Sequence, residues 1–307
     1  MSEVLLSIWT LMVYMAIGFA LVKFSVLGPH ADRGLSKIVF YVTMPMLLLR
    51  TVGTADLGDV FSLGLLANVA TALILLSTYY VIAVKVFRLS GGRQTIGALA
   101  AAYTNAGNVG IAFLVATVGT ATATAGVIVF QVLVLVPFGF LMLDRQTAVE
   151  GGSRLKLLVS SFTQPPLVAV FVGIVLNVSA WNPPELITGP VDALANTTVP
   201  LMMVALGVSL ASAKILRLNR DNLPLFTSIA FRMVLSPIIT FVIASLLGLD
   251  GQMLLATMVV SIFPTANNLF AIAHRYEVGV AFTRDVSVIT ALVSMPALIA
   301  IAAIFHV

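Results

Sequence analysis

Tyr103-Thr104-Asn105-Ala106-Gly107-Asn108-Val109-Gly110 and Phe263-Pro264-Thr265-Ala266-Asn267-Asn268-Leu269 each interrupt an apolar stretch of membrane-spanning length. Asn, Thr, Gly and Pro stand where an uninterrupted membrane helix would carry Leu, Val or Ile. Hydrocarbon offers no partner to a backbone N–H or C=O. Unwound backbone at that depth is therefore tolerated only when it is buried in protein or lines a cavity. Two such interruptions at matching places in the halves of one chain point to a carrier's substrate site.

The surrounding composition is that of an integral membrane protein. The 307-residue chain is 60% hydrophobic and 9% charged, against about 25% charged in soluble domains. Taking roughly 20 residues per crossing, ten apolar segments run 4–24, 36–53, 60–87, 94–116, 121–143, 156–178, 186–211, 223–247, 251–274 and 282–305. The first is not read as a cleaved signal, because Met1-Ser2-Glu3 lacks a basic n-region. Cys is absent, which excludes disulfides and thiolate metal sites, and His30, His274 and His306 are far apart in sequence. No nucleophile–base pair or metal cluster is evident, so the chain is read as a non-enzyme without a cofactor.

Charge placement sets the topology. Lys23, Arg33, Lys37, Lys85, Arg88, Arg93, Arg145, Arg154, Lys156, Lys214, Arg217, Arg220, Arg275 and Arg284 follow odd-numbered segments. On the other side only Arg50 joins Asp56, Asp59, Glu185, Asp192 and Asp250. Basic loops stay cytoplasmic, so both termini are expected outside, in a bacterial-type inner (plasma) membrane. The net charge of +4 is thus a topology signal and not a nucleic-acid surface.

The hydrophilic run 144–155 divides residues 1–143 from residues 156–307, five segments each. Thr43-Met44-Pro45-Met46-Leu47 is echoed by Thr198-Val199-Pro200-Leu201-Met202, and Gly18 by Gly173, at an offset of 155. Gly91 and Gly251, Asn108 and Asn268, and Gly119 and Gly279 keep an offset of 160. An odd number of spans per half makes this an inverted repeat, with its site near the midplane. The expected fold is all-α: ten transmembrane helices in two five-helix inverted repeats, with helices 4 and 9 broken.

Each break creates half-helix ends. Gly107 and Gly110 give segment 4 freedom to unwind, and Pro264 removes a donor from segment 9. Half-helix N-termini offer N–H groups and partial positive charge to an anion. Asn105, Asn108, Thr265, Asn267 and Asn268 add neutral donors and acceptors. The competing reading is a pair of kinks whose amides join neighbouring helices. Thr43-Pro45 and Thr198-Pro200 read as hinges.

Arg232 lies about nine residues into its segment, where insertion costs roughly 2.5–3.5 kcal/mol without a partner or water. Two readings stand: a counter-charge for an anionic substrate or built-in cation, and a structural donor to carbonyls of a broken helix. No Asp or Glu is placed mid-span, and Asn68 and Gln131 are the other deep polar groups. Coupling to Na⁺ or H⁺ stays open.

Thr104-Asn105-Ala106-Gly107-Asn108-Val109-Gly110 and Pro264-Thr265-Ala266-Asn267-Asn268, in a ten-span chain, resemble the two crossovers of the auxin efflux carrier family. With no long loop between segments 5 and 6, the chain is most similar to short bacterial members described as malonate or malate permeases. The resemblance implies a bile-acid-symporter-like carrier with a scaffold (segments 1, 2, 6 and 7) and a transport domain (segments 3–5 and 8–10). It also implies crossover helices at the site, elevator movement, and a homodimer joined through scaffold helices. By carry-over, Asn105 and Asn108 contact substrate and Pro264 shapes the second crossover. Two departures stand out: segment 4 has no Pro at its break, and the transport domain lacks the acidic residue some relatives carry.

The sequence thus predicts a secondary carrier in the lipid bilayer for a small organic anion, a malonate- or malate-like dicarboxylate. Its expected site residues are Asn105, Gly107, Asn108, Gly110, Pro264, Thr265, Asn267, Asn268 and Arg232. An exporter of an auxin-like aromatic acid, and a channel, are the alternatives.

Overall fold

The computed structural model describes residues 2–28, 30–54, 62–106, 114, 122–147, 163–179, 181, 183–211 and 220–304. In chain order the helices are α1 (Ser2–Lys23), α2 (Ala31–Ile38), α3 (Met44–Gly53), α4 (Leu63–Lys85), α5 (Arg93–Ala102), α6 (Thr122–Phe130) and α7 (Val136–Thr147). They continue as α8 (Pro165–Ser179), α9 (Glu185–Ala211), α10 (Leu223–Ala230), α11 (Ser236–Leu246), α12 (Gly251–Ile262), α13 (Asn268–Tyr276) and α14 (Val280–Ile304). Among the described residues there is no strand, only an isolated antiparallel bridge between Thr104 and Thr265.

Among the described residues six stretches are long and apolar enough to cross a membrane: Ala31–Gly53, Leu63–Lys85, Gly126–Thr147, Glu185–Ala211, Leu223–Leu246 and Val280–Leu298. Shorter apolar helices occupy the segments anticipated at 4–24, 156–178 and 251–274. Large apolar side chains such as Leu66, Ile74, Phe171, Val175, Phe241 and Leu246 stand exposed on these helices. A contiguous surface of that kind is what hydrocarbon covers.

Three of the long stretches contain a π-turn with a shared cause. The turns Val39–Thr43, Gln131–Leu135 and Phe231–Leu235 each end two residues before a proline: Pro45, Pro137 and Pro237. Proline has no N–H and its ring collides with the carbonyl four residues back. Widening that turn by one residue relieves the collision. The hinge expected at Thr43-Pro45 is therefore a π-turn. Its counterpart at Pro200 is not, because α9 stays α-helical through Pro190 and Pro200. Thr43 and Thr198 share complete burial, and neither hydroxyl has a partner.

The helices pack as two groups. α1, α2, α3, α8 and α9 lie on one another; α4 to α7 and α10 to α14 form the second group. They meet mainly where α13 rests on α2 and the first π-turn, and where α9 touches α13 and α14. Within the first group, α1 and α9 approach to backbone contact. A Cβ on Gly207 would lie 1.9 Å from the Met15 carbonyl oxygen, and one on Gly18 would lie 2.1 Å from that of Val204. Small residues permit such approach between membrane helices.

Gly207→Ala is expected to force α1 and α9 apart, costing roughly 1–3 kcal/mol as overpacking does. The check is thermal melting in detergent, with Gly34→Ala as control because nothing lies within 4 Å of a Cβ there. A Gly207→Ala protein melting with the wild type would rule out the close approach.

Candidate functional site

Both interrupted stretches unwind where the sequence places Asn and Pro. α5 ends at Ala102 and Tyr103 turns extended. α12 ends at Ile262, Phe263 is extended, and α13 starts at Asn268. The unwound backbones run antiparallel and pair: Asn105 N–H donates to the Pro264 carbonyl (2.8 Å) and Ala266 N–H to the Tyr103 carbonyl (2.9 Å). Each stretch thus supplies the partners that hydrocarbon withholds from the other.

Side chains finish the satisfaction. The Thr265 hydroxyl donates to the Ala100 carbonyl (2.8 Å), and Thr265 N–H to the Thr290 hydroxyl (3.1 Å). The π-turn Phe231–Leu235 carries Arg232, 3% exposed, toward the C-terminal carbonyls of α5 and α12. Nη1 donates to Ala102 O (3.3 Å), and Nη2 to Ser261 O (2.5 Å) and to the Ser236 hydroxyl (2.6 Å). Those carbonyls are the negative ends of α5 and α12, so the guanidinium is compensated by two helix termini. These are contacts of the kind that the structural reading of Arg232 describes. Its Nε has no partner and lies by a small pocket shared with Asn68, Gln131 and Thr104, whose hydroxyl is also unpartnered.

A separate cavity of about 180 Å³ lies on the other side of the crossing. One wall is Tyr103, Thr104, Asn105 and Ala106 with Ala266, Asn267 and Asn268; a second is Ile128, Gln131 and Val132. The third comes from the other helix group: Leu47, Leu48, Arg50 and Thr51 of α3, and Val199 and Met202 of α9. The Asn268 side chain is hydrogen bonded to the Tyr103 hydroxyl. Four amide side chains (Asn105, Gln131, Asn267 and Asn268), the hydroxyls of Thr51 and Thr104, a phenol and one cation therefore border the pocket beside its apolar residues, a composition that orients a small polar ligand.

Of the expected site residues, Asn105, Asn267 and Asn268 are brought together on this cavity. Pro264, Thr265 and Arg232 lie behind it, in the backbone network. Gly107, Asn108 and Gly110 lie outside the described residues. Sequence reasoning set Arg50 aside as a loop charge, yet it lines the cavity. Its signal was available: it is the lone cation on the acidic side of the chain.

The opposite end of the molecule is tied shut between the helix groups. Buried Asp32 of α2 faces partly buried His274 of α13 at 3.3 Å, and Arg33 pairs with Glu277. Asp32 also accepts from Ser209 of α9 and from Arg33 N–H. Arg284 is bonded to Asp285 (2.6 Å) and to the Ser209 carbonyl (3.3 Å). No ligation motif flagged this pair, because Asp32 and His274 are distant in sequence.

The family model described as membrane transport protein matches residues 3–302. A protein of Rhizobium meliloti, whose name gives malonate transport as a candidate role, is 23% identical over 270 residues, 85% of this chain and 83% of its own. An uncharacterized transporter of Methanothermobacter thermautotrophicus is 24% identical over 302 residues, 96% of either chain.

Arg232→Gln is expected to destabilise the substrate-free protein by roughly 1–3 kcal/mol for each carbonyl left without a donor. Melting in detergent without substrate reads this directly. A variant that melts normally but loses substrate binding would move Arg232 from the backbone network to the ligand.

Proposed function

Since the chain belongs to the membrane transport protein family, we propose that it is a secondary carrier for a small organic anion. A malonate- or malate-like dicarboxylate is the substrate class. The observation that carries the reading is the cavity where both unwound stretches present Asn105, Asn267 and Asn268. Amide N–H groups and the N-terminus of α13 offer donors to a carboxylate without a buried charge in that wall. A relative named for malonate transport supports the substrate class.

The paired stretches act as crossover helices of an inverted repeat, and the substrate rides with α4–α7 and α10–α14 against the other group. Two features support this elevator reading. The cavity is walled by both groups, and few elements join them. Asp32–His274 and Arg33–Glu277 close the end that the charge rule places in the cytoplasm. The cavity instead borders the C-terminal half of α3. This is an outward-facing state in an inner membrane, with both termini outside. Those contacts must part before the cavity can open to the cytoplasm. A homodimer through α1, α2, α3, α8 and α9 would leave the moving group free.

The test is counterflow of labelled malonate, then malate, in proteoliposomes. Saturable exchange is expected in the wild type. In Asn105→Ala combined with Asn268→Ala, affinity should fall about tenfold or more, the worth of one charged hydrogen bond. Full exchange by the folded double variant would sink the site assignment. Currents too large for a turnover-limited carrier would indicate a channel.

A further inference from the structure

We propose that Arg50 is the specificity-determining residue that makes this cavity select dianions over monoanions; the proposal rests on the organic-anion reading above. Its ligand is the second carboxylate of the substrate, the one directed away from Asn105, Asn267 and Asn268.

Position is the first argument. Arg50 borders the site cavity on one side and, on the other, a second cavity of about 210 Å³ shared with Trp181, Ile187 and Asp192. The guanidinium therefore stands at the wall between the site and the space adjoining it. Among the described residues lining the site it is the one charged side chain. The cavity consequently has a neutral amide end and a cationic end. A ligand with charge at both ends satisfies both, and a monoanion of equal length leaves one unmatched.

Orientation is the second argument. Nη1 donates to the Asn196 side-chain oxygen at 2.8 Å and lies 3.6 Å from the Asp192 carboxylate. Both partners sit on α9, so the planar fork is braced from one side. A guanidinium carries five N–H donors in fixed geometry, matched to a carboxylate in two-point fashion. The Asp192 contact does not consume the charge. Both side chains are substantially solvent-exposed, 32% and 49%, and such pairs are weak.

A purely structural Arg50, a staple from α3 to α9, would act on every ligand alike. The two roles separate in a ratio. Counterflow inhibition is measured with malonate and with monomethyl malonate, which keeps the carbon skeleton and loses one charge. In the wild type, malonate is expected to bind about ten- to a hundredfold more tightly, as a charged hydrogen-bond pair gives. In Arg50→Gln that ratio should collapse toward unity through loss of malonate affinity, with monomethyl malonate changed within about threefold. Arg50→Lys, a point charge without the fork, should fall between.

An Arg50→Gln protein that keeps the wild-type ratio overturns the proposal, as does equal loss for both ligands. Should that variant fail to fold, Asn196→Ala removes only the brace on Nη1. The ratio is then expected to shrink about threefold, and an unchanged ratio counts against Arg50. A folded wild type that exchanges neither malonate nor malate defeats the organic-anion reading itself, a result distinct from a ratio that ignores Arg50.

Discussion

Two backbone hydrogen bonds, Asn105 to Pro264 and Ala266 to Tyr103, hold together what hydrocarbon would otherwise forbid. An isolated unwound stretch in a bilayer would strand several polar groups, each costing several kcal/mol. Crossing two such stretches antiparallel converts two liabilities into one local sheet-like contact. Side chains then complete the accounting. Thr265 takes the Ala100 carbonyl, Thr290 takes the Thr265 N–H, and Arg232 takes the Ala102 and Ser261 carbonyls. With these groups paired among themselves, Asn105, Asn267 and Asn268 are left to face the cavity. The polar character of the pocket is thus a by-product of how thoroughly the backbone behind it is satisfied.

The same network divides rigid from yielding parts. Arg232 reaches from the π-turn before α11 to the ends of α5 and α12, and Thr265 joins α13's approach to α5. Everything that builds the crossing therefore belongs to one helix group. Contacts to the other group are of another kind. They include the Asp32–His274 and Arg33–Glu277 contacts at the end opposite the cavity, the Arg284 donation to the Ser209 carbonyl, and the edge-to-face packing of Phe40 on Phe140. The exposed Arg33–Glu277 contact can be exchanged for water more cheaply than the buried backbone bonds of the crossing. A shear between the groups would break the former and leave the latter intact.

How much of this was legible in the sequence follows from the same physics. Asn, Gly and Pro inside apolar runs are a local signal, so both interruptions and the helices around them could be read directly. Pro264 terminates α12 just as its missing N–H requires. The π-turns were half legible: Pro45, Pro137 and Pro237 mark them, but Pro200 leaves α9 unbroken. Which polar side chain faces the cavity was not legible. Thr265 and Asn267 are two residues apart, yet Thr265 is fully buried on the α5 side while Asn267 borders the pocket. That choice depends on the partner backbone across the crossing, which no window of sequence contains. Asp32 and His274 escaped for the same reason, since only the packing of α13 on α2 brings them together.

Burial sets the two arginines apart: Arg232 is 3% exposed, and the Arg50 side chain 32%. Arg232 is central in its segment and so attracts attention as the cation of the site. At that depth a full charge persists only if its donors are committed, and the helix-end carbonyls are the acceptors at hand. A guanidinium so committed has little left for a ligand that must come and go. Arg50 has the opposite constraints. About a third exposed, beside water-accessible Asp192, it keeps its charge without a buried partner. Its remaining donors can exchange water for carboxylate and back. On the proposed carrier function, what is bound must also be released, and the proposal for Arg50 follows from its place at the edge of the cavity, where its donors are not all committed.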